Sequence, residues 1–178
     1  MIERARLERG YVQVYTGDGK GKTTAAFGLA LRAAGAGLKT FIAQFVKGME
    51  YSELRALARF DDLMEVRRYG RGCFIEREPE PEDIAAARTG LAEARAEMLS
   101  GAWDLVILDE ANIATHFELF PVEDLLAVIA ERPQHVELVI TGRRADPRVI
   151  AAADLVTEMR EVKHYYARGI TARKGIEC

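Results

Sequence analysis

Cysteine is scarce in this sequence, and long hydrophobic runs are missing. Two cysteines in 178 residues, Cys73 and Cys178, are too few for a disulfide framework or a set of zinc ligands. No apolar run approaches the ~20 residues that a membrane-crossing helix needs. The opening residues, MIERARLERG, are charged rather than hydrophobic, so we expect no secretory signal. These features favour a cytoplasmic protein.

The sequence also lacks a strong excess of charge of either sign. A formal net charge of −3 exerts no general attraction on nucleic acid or on an anionic membrane. The arginine pairs at 67–68 and 143–144 are too short to be basic tracts. Internal repeats and domain linkers are not evident, so we expect one domain over residues 1–178 with a substantial core.

Residues 11–24, YVQVYTGDGKGKTT, are typical of a strand, a glycine loop and the start of a helix. Three glycines allow a tight turn in which backbone N–H groups face one point. The helix that follows directs its positive end to the same point. We predict that a nucleotide polyphosphate is bound by Gly17, Asp18, Gly19, Lys20, Gly21, Lys22, Thr23 and Thr24.

Within this loop, Lys22 is predicted to contact the outer phosphates and the Thr23 hydroxyl to bind Mg²⁺ or Mn²⁺. The general phosphate-loop pattern has glycine six residues before the lysine, where this chain has Thr16. The loop is therefore one residue shorter, and it carries a second cation at Lys20. A turn that binds nothing is the alternative, but two lysines there would oppose the helix dipole.

Strands and helices alternate along the rest of the chain. The predicted strands are Tyr11–Thr16, Lys39–Phe45, Leu63–Tyr69, Trp103–Leu108, Val136–Thr141 and a weaker sixth at Asp154–Met159. The predicted helices are Ala25–Ala36, Tyr51–Phe60, Pro81–Ser100, Val122–Glu131 and Arg148–Ala153. This alternation predicts an α/β fold with a mostly parallel sheet of five or six strands and helices on both faces.

Ligands of such sheets lie outside the carboxyl ends of the strands. That rule brings to one site the glycine loop, residues 44–52, residues 70–78, Asp109–Glu110, residues 142–147 and the C-terminal tail. Carboxylates at that edge of a phosphate-loop protein hold Mg²⁺ directly or through water, and we favour Glu110 over Asp109. The planar guanidinium of Arg143 either donates hydrogen bonds to the triphosphate or is a solvated group in a loop.

Several other side chains remain open between function and packing. Cys73 is a candidate ligand or nucleophile, although a packed thiol explains it better. His164 has no metal partner nearby in the sequence. Aromatic side chains around the predicted site can face a large flat ligand or belong to the core; they are Tyr51, Phe74, Tyr165 and Tyr166.

The sequence resembles the phosphate-loop type of ATP:corrinoid adenosyltransferase. The resembling segments span nearly the whole chain in order: TGDGKGKTTAAFGLALRAAG, QFVKG, RGCF, DLVILDEAN, RPQHVELVITGR, ADLVTEMREVKH and ARGITARKGIE. The short GDGKGKTT loop and the TGR…VTEMREVKH ending are more specific than a general nucleotide loop.

This resemblance implies a RecA-like sheet, a homodimer, and transfer of the 5′-deoxyadenosyl group of ATP to the cobalt of a reduced corrinoid. Cobalt as Co(I) is the nucleophile, so the protein supplies no nucleophile of its own. Tripolyphosphate leaves, and Lys20, Lys22 and Arg143, with Mg²⁺ on Thr23 and Glu110, are suited to stabilise its charge. An electron donor such as a flavoprotein is implied as the source of Co(I).

Three departures from the family's pattern stand out. Asp18 occupies a position where asparagine is frequent, which adds a negative charge beside the phosphates. The family's aromatic Phe-Thr-Trp set, which helps displace the lower axial cobalt ligand, is reduced to Phe74 in the segment GRGCFIE. The N-terminal arm is short.

Two other functions remain open. A phosphate-loop ATPase or small-molecule kinase would release ADP and use Glu110 to activate water or a hydroxyl. A delivery module would hold ATP or finished adenosylcorrinoid without turnover.

Overall fold

A sheet of parallel strands forms the centre of the computed structural model, which describes residues 6–46, 52–70 and 78–177. Within these residues the strands are β1 (Val12–Thr16), β2 (Thr40–Phe45), β3 (Met64–Tyr69), β4 (Leu105–Asp109), β5 (Glu137–Thr141) and β6 (Leu155–Glu158). Their order in the sheet is β3-β2-β4-β5-β1-β6, and all neighbouring strands run parallel. The predicted α/β fold with a parallel sheet is therefore confirmed.

Helices cover both faces of this sheet. In the same described residues they are α1 (Lys22–Gly35), α2 (Ser52–Leu57), α3 (Pro81–Leu99), α4 (Ala111–His116), α5 (Val122–Glu131) and α6 (Pro147–Ala152), with 3₁₀ turns at Ala58–Phe60 and Tyr165–Arg168. Helices α1 and α2 share a core with Ile42 and Ile107, whereas α3 to α6 share one with Phe41 and Leu108. Successive strand residues point to opposite faces, so one apolar run supplies both cores.

Two elements differ from the sequence prediction. Strand β4 was predicted at Trp103–Leu108 but begins at Leu105, because Asp104 connects to Lys39 through its backbone N–H (2.9 Å) and its carboxylate (3.0 Å). Helix α4 was not predicted. It has six residues and no side-chain cap, so the usual signals of a helix start are missing.

The remaining strands and α-helices agree with prediction to within a few residues at their ends, whereas the 3₁₀ turn at Tyr165–Arg168 was not predicted. The sixth strand is present at the sheet edge beside β1. Tyr51, Cys73 and Phe74 lie outside the described residues, and what was predicted for them stays a prediction. No helix in the described part of the chain is long and apolar enough to cross a membrane.

Candidate active site

The glycine loop between β1 and α1 is folded against the end of β6. Gly17 and Gly21 have positive φ angles of 92° and 119°, a conformation that favours glycine. A Cβ on Gly17 would lie 2.4 Å from the carbonyl oxygen of Met159, and one on Gly19 would lie 2.7 Å from the same atom. The Gly19 N–H donates to that oxygen at 2.7 Å. Close approach of β6 therefore requires glycine at these two positions.

Lys22, the first residue of α1, is held inside the loop. Its side chain is buried, and its Nζ donates to the carbonyl oxygens of Gly17 at 2.6 Å and Gly19 at 2.7 Å. Burial lowers the pKa of Lys22 below its ordinary value of 10.5, and the carboxylate of Glu110 opposes that change. The ammonium group is thus fixed by the loop before it meets any ligand.

This lowered pKa predicts a pH dependence. The protonated form of Lys22 is the one that attracts phosphate, so ATP affinity should be intact below the folded pKa and should fall as pH rises through it. We expect the affinity, measured by calorimetry, to begin falling below pH 10.5. Lys20→Arg is the matched control and should keep this alkaline loss, whereas an affinity that stays flat up to pH 10.5 would contradict the prediction.

Asp109, the last residue of β4, collects hydrogen bonds from three elements. Its Oδ1 accepts from the hydroxyls of Thr23 (2.9 Å) and Thr141 (2.7 Å), and its Oδ2 accepts from Nε2 of Gln44 at 3.0 Å. Asp109, Gln44 and Thr141 are fully buried. A buried carboxylate is stable only when hydrogen bonds replace its lost hydration, and these donors do so.

A cavity of about 670 Å³ lies outside the carboxyl ends of the strands. It is lined by most of the predicted site residues, namely Gly19, Lys20, Gly21, Lys22, Thr23, Thr24, Glu110 and Arg143. The predicted residues Gly17 and Asp18 are not among its lining residues, although the carbonyl of Gly17 accepts a hydrogen bond from Lys22. Phe74 cannot be placed, since it lies outside the described ranges.

The C-terminal segment forms another wall of this cavity. His164 and residues 175–177 line it, and Nζ of Lys20 donates to the carbonyl oxygen of Ile176 at 3.1 Å. Glu177 accepts hydrogen bonds from Tyr165 and Arg173, which lower the pKa of Glu177 to about 2, with Arg173 the larger cause. The exposed Lys20 is thus engaged by the tail, whereas Lys22 is engaged by the loop.

The sequence placed residues 44–52 and the C-terminal tail near this site but gave Gln44 and Ile176 no role in it, and it did not include Thr141. Gln44 and Thr141 are polar residues at the carboxyl ends of otherwise apolar strands, and that position was a usable signal. Ile176 accepts the hydrogen bond of Lys20 through its backbone carbonyl, a contact for which a side-chain pattern gives no signal.

Comparison with known proteins agrees with this geometry. The family model for "ATP:corrinoid adenosyltransferase BtuR/CobO/CobP" matches residues 8–178. A corrinoid adenosyltransferase of Pseudomonas aeruginosa is 40% identical over 177 residues, which are 99% of this chain and 87% of that protein. The corrinoid adenosyltransferase of Escherichia coli K12 is 35% identical over 99% of this chain and 89% of its own. The corrinoid adenosyltransferase CobA of Salmonella typhimurium is 34% identical with the same coverage. This chain therefore belongs to the ATP:corrinoid adenosyltransferase family.

Proposed function

We propose that this protein transfers the 5′-deoxyadenosyl group of ATP to the cobalt of a reduced corrinoid, in the synthesis or salvage of adenosylcobalamin. The electron pair of Co(I) forms the cobalt–carbon bond to C5′, the C5′–O bond breaks, and tripolyphosphate leaves with the electrons of that bond. Cobalt passes formally from Co(I) to Co(III), and C5′ takes up its electron pair as the bond to oxygen breaks, so no separate oxidant is needed.

The cavity beside the glycine loop is the observation that carries this proposal. Three cationic side chains, Lys20, Lys22 and Arg143, line it together with the start of α1. Charge grows on the triphosphate as the C5′–O bond breaks, and fixed cations in a partly buried site stabilise such charge. Lys22 needs little reorganisation for this role, since two carbonyl groups already hold it in the loop.

The residues facing the cavity also fit a magnesium ion. Mg²⁺ prefers oxygen ligands and commonly takes one or two from the protein, the remainder being phosphate oxygens and water. Thr23 and Glu110 line the same cavity and would hold the ion there. The bound ion would neutralise part of the triphosphate charge.

One incubation tests the proposed reaction. The protein is mixed with ATP, Mg²⁺ and chemically reduced cobalamin, and the products are followed by absorbance and chromatography. We expect a photolabile cobalt–carbon product together with tripolyphosphate. Release of ADP and phosphate would favour the ATPase or kinase function. Absence of both products, together with tight binding of separately added adenosylcobalamin, would favour a delivery module.

Glu110 offers a test of the metal proposal. If Glu110 binds the ion, Glu110→Ala lowers metal occupancy, so raised Mg²⁺ or Mn²⁺ should restore part of the turnover. If Glu110 is instead a general base, its removal abolishes the acidic limb of the pH–rate profile and added metal restores nothing. Turnover measured against metal concentration and pH separates the two.

We further propose a homodimer, an electron-donor partner, a cytoplasmic location and a corrin-facing role for Phe74. A homodimer is favoured by the resemblance and by the exposed Leu155 and Val156 of the edge strand β6; light scattering tests it. An electron donor such as a flavoprotein follows from the need for Co(I). A cytoplasmic location fits the use of ATP. A corrin-facing role for Phe74 follows from the resemblance alone.

A further inference from the structure

The hydroxyl group of Thr141 connects the two acidic residues at the end of β4. Its Oγ1 donates to Oδ1 of Asp109 at 2.7 Å and accepts the backbone N–H of Glu110 at 2.9 Å. Thr141 is the last residue of β5 and is fully buried. Both hydrogen-bonding functions of one hydroxyl are therefore used at the edge of the cavity.

The bond to the Glu110 backbone fixes an unfavourable conformation. Glu110 has φ 63° and ψ 18°, in the left-handed region that residues with a Cβ seldom adopt. This conformation ends β4 and starts α4 directly afterwards, and it directs the chain so that Glu110 lines the cavity. Without the Thr141 acceptor, the Glu110 N–H would lose its hydrogen bond and the turn would lose part of its support.

The bond to Asp109 acts on Thr23. The same oxygen, Oδ1, accepts the Thr23 hydroxyl proton at 2.9 Å. A hydroxyl that donates its proton in this way can meet a cation only through its lone pairs. Thr23 lines the cavity. The orientation of Asp109 therefore sets the direction in which the lone pairs of the Thr23 hydroxyl point.

We infer that Thr141 is a positioning residue, which aligns the Thr23 hydroxyl and the Glu110 carboxylate for the metal ion of the nucleotide. One hydroxyl acts on both metal ligands, through the Asp109 carboxylate on one side and the Glu110 backbone on the other. Thr141 itself is not among the residues that line the cavity, so it acts through its neighbours. This inference rests on the magnesium site of the proposed function.

Binding of ATP with and without Mg²⁺ tests the inference without catalysis. Calorimetry on the full-length protein, with no corrinoid added, gives the ratio of ATP affinity in Mg²⁺ to that in EDTA. Thr141→Val keeps the shape of the side chain and removes the hydroxyl, and we expect it to lower this ratio roughly 10-fold, as loss of a hydrogen bond to a charged group does. Thr141→Ser restores the hydroxyl and should restore most of the ratio.

Thr40 provides a matched control. It is fully buried on β2, and its hydroxyl has no hydrogen-bond partner among the residues that the structure describes, so Thr40→Val should leave the ratio unchanged. If Thr141→Val does not fold, Thr141→Ala makes the same comparison without added apolar bulk.

The outcomes separate the inference from the metal proposal. The inference alone is overturned if the ratio of ATP affinities in Mg²⁺ and in EDTA is well above one in the wild type and Thr141→Val preserves it. That conclusion holds whether or not the variant has a lower melting temperature. A wild-type ratio near one overturns the metal site and the inference together. A ratio that falls in Thr141→Val and recovers in Thr141→Ser supports both.

Discussion

Lys22→Ala is expected to lower kcat/KM for ATP by ~100-fold or more, the usual cost of removing one preorganised group that stabilises developing charge. The Lys22 ammonium lies 2.6 Å and 2.7 Å from two loop carbonyl oxygens, so its position is set by the loop. Alanine removes the charge that tripolyphosphate meets as it leaves. Steady-state rates with Co(I) supplied directly measure the effect, because they bypass cobalt reduction.

Lys20→Ala is the matched control for this variant. Lys20 is exposed and its ammonium contacts the carbonyl of Ile176, so solvent screens its charge. We expect a loss of only roughly two- to fivefold, in the range of exposed charge contacts. Melting temperatures of both variants show whether the loop stays folded. Near-normal rates in Lys22→Ala would mean that the loop is structural and that charge stabilisation comes from elsewhere.

The elements that the sequence predicts well are those whose signals are local. Val122–Glu131 was predicted with its observed ends because Pro121 precedes it and Pro133 follows it. Strand β4 was found because its buried residues Leu105–Leu108 form an apolar run, as expected for a strand covered on both faces. Helix α4 was missed because its start depends on a left-handed residue, Glu110, which no composition rule marks.

The segments that form the site were predictable from the sequence, but the hydrogen bonds between residues of different strands were not. A glycine loop and an acidic strand end can be read separately, and the rule for parallel sheets brings them together. The bonds from Gln44 and Thr141 to Asp109 depend on how β2, β4 and β5 are aligned. Lys20 reaches a carbonyl 156 residues away. Such contacts are fixed by tertiary structure and leave no signal in one segment.

The structure requires glycine in the loop for a reason that the sequence did not indicate. The sequence suggested that they leave room for phosphate to approach backbone N–H groups. In the structure the Gly19 N–H donates to the Met159 carbonyl at 2.7 Å, so at Gly19 the close neighbour is the end of β6. Glycine there is needed for packing against this strand.

This contact predicts a large effect of Gly19→Ala. A Cβ at position 19 would lie 2.7 Å from the Met159 carbonyl oxygen and 2.8 Å from the backbone carbon of Arg160. Backbone atoms cannot rotate away, so either the loop or the end of β6 must shift, at a cost of about 1–3 kcal/mol for an overpacked site. A loop shift would also move the Gly19 carbonyl that holds Lys22. We therefore expect turnover to fall ~100-fold, as misplacement by about 1 Å can do.

Gly28→Ala gives the same chemical change in open space. Gly28 lies within α1, and a Cβ there has no neighbour within 4 Å in the described part of the chain, so alanine should raise stability by about 0.5–1 kcal/mol through its higher helix propensity. Its turnover should equal that of the wild type. Thermal unfolding and steady-state rates on both variants make the comparison. If Gly19→Ala melts and turns over like Gly28→Ala, then β6 does not pack against the loop at this position; if it loses stability but keeps its rate, the contact supports the fold without setting the position of Lys22.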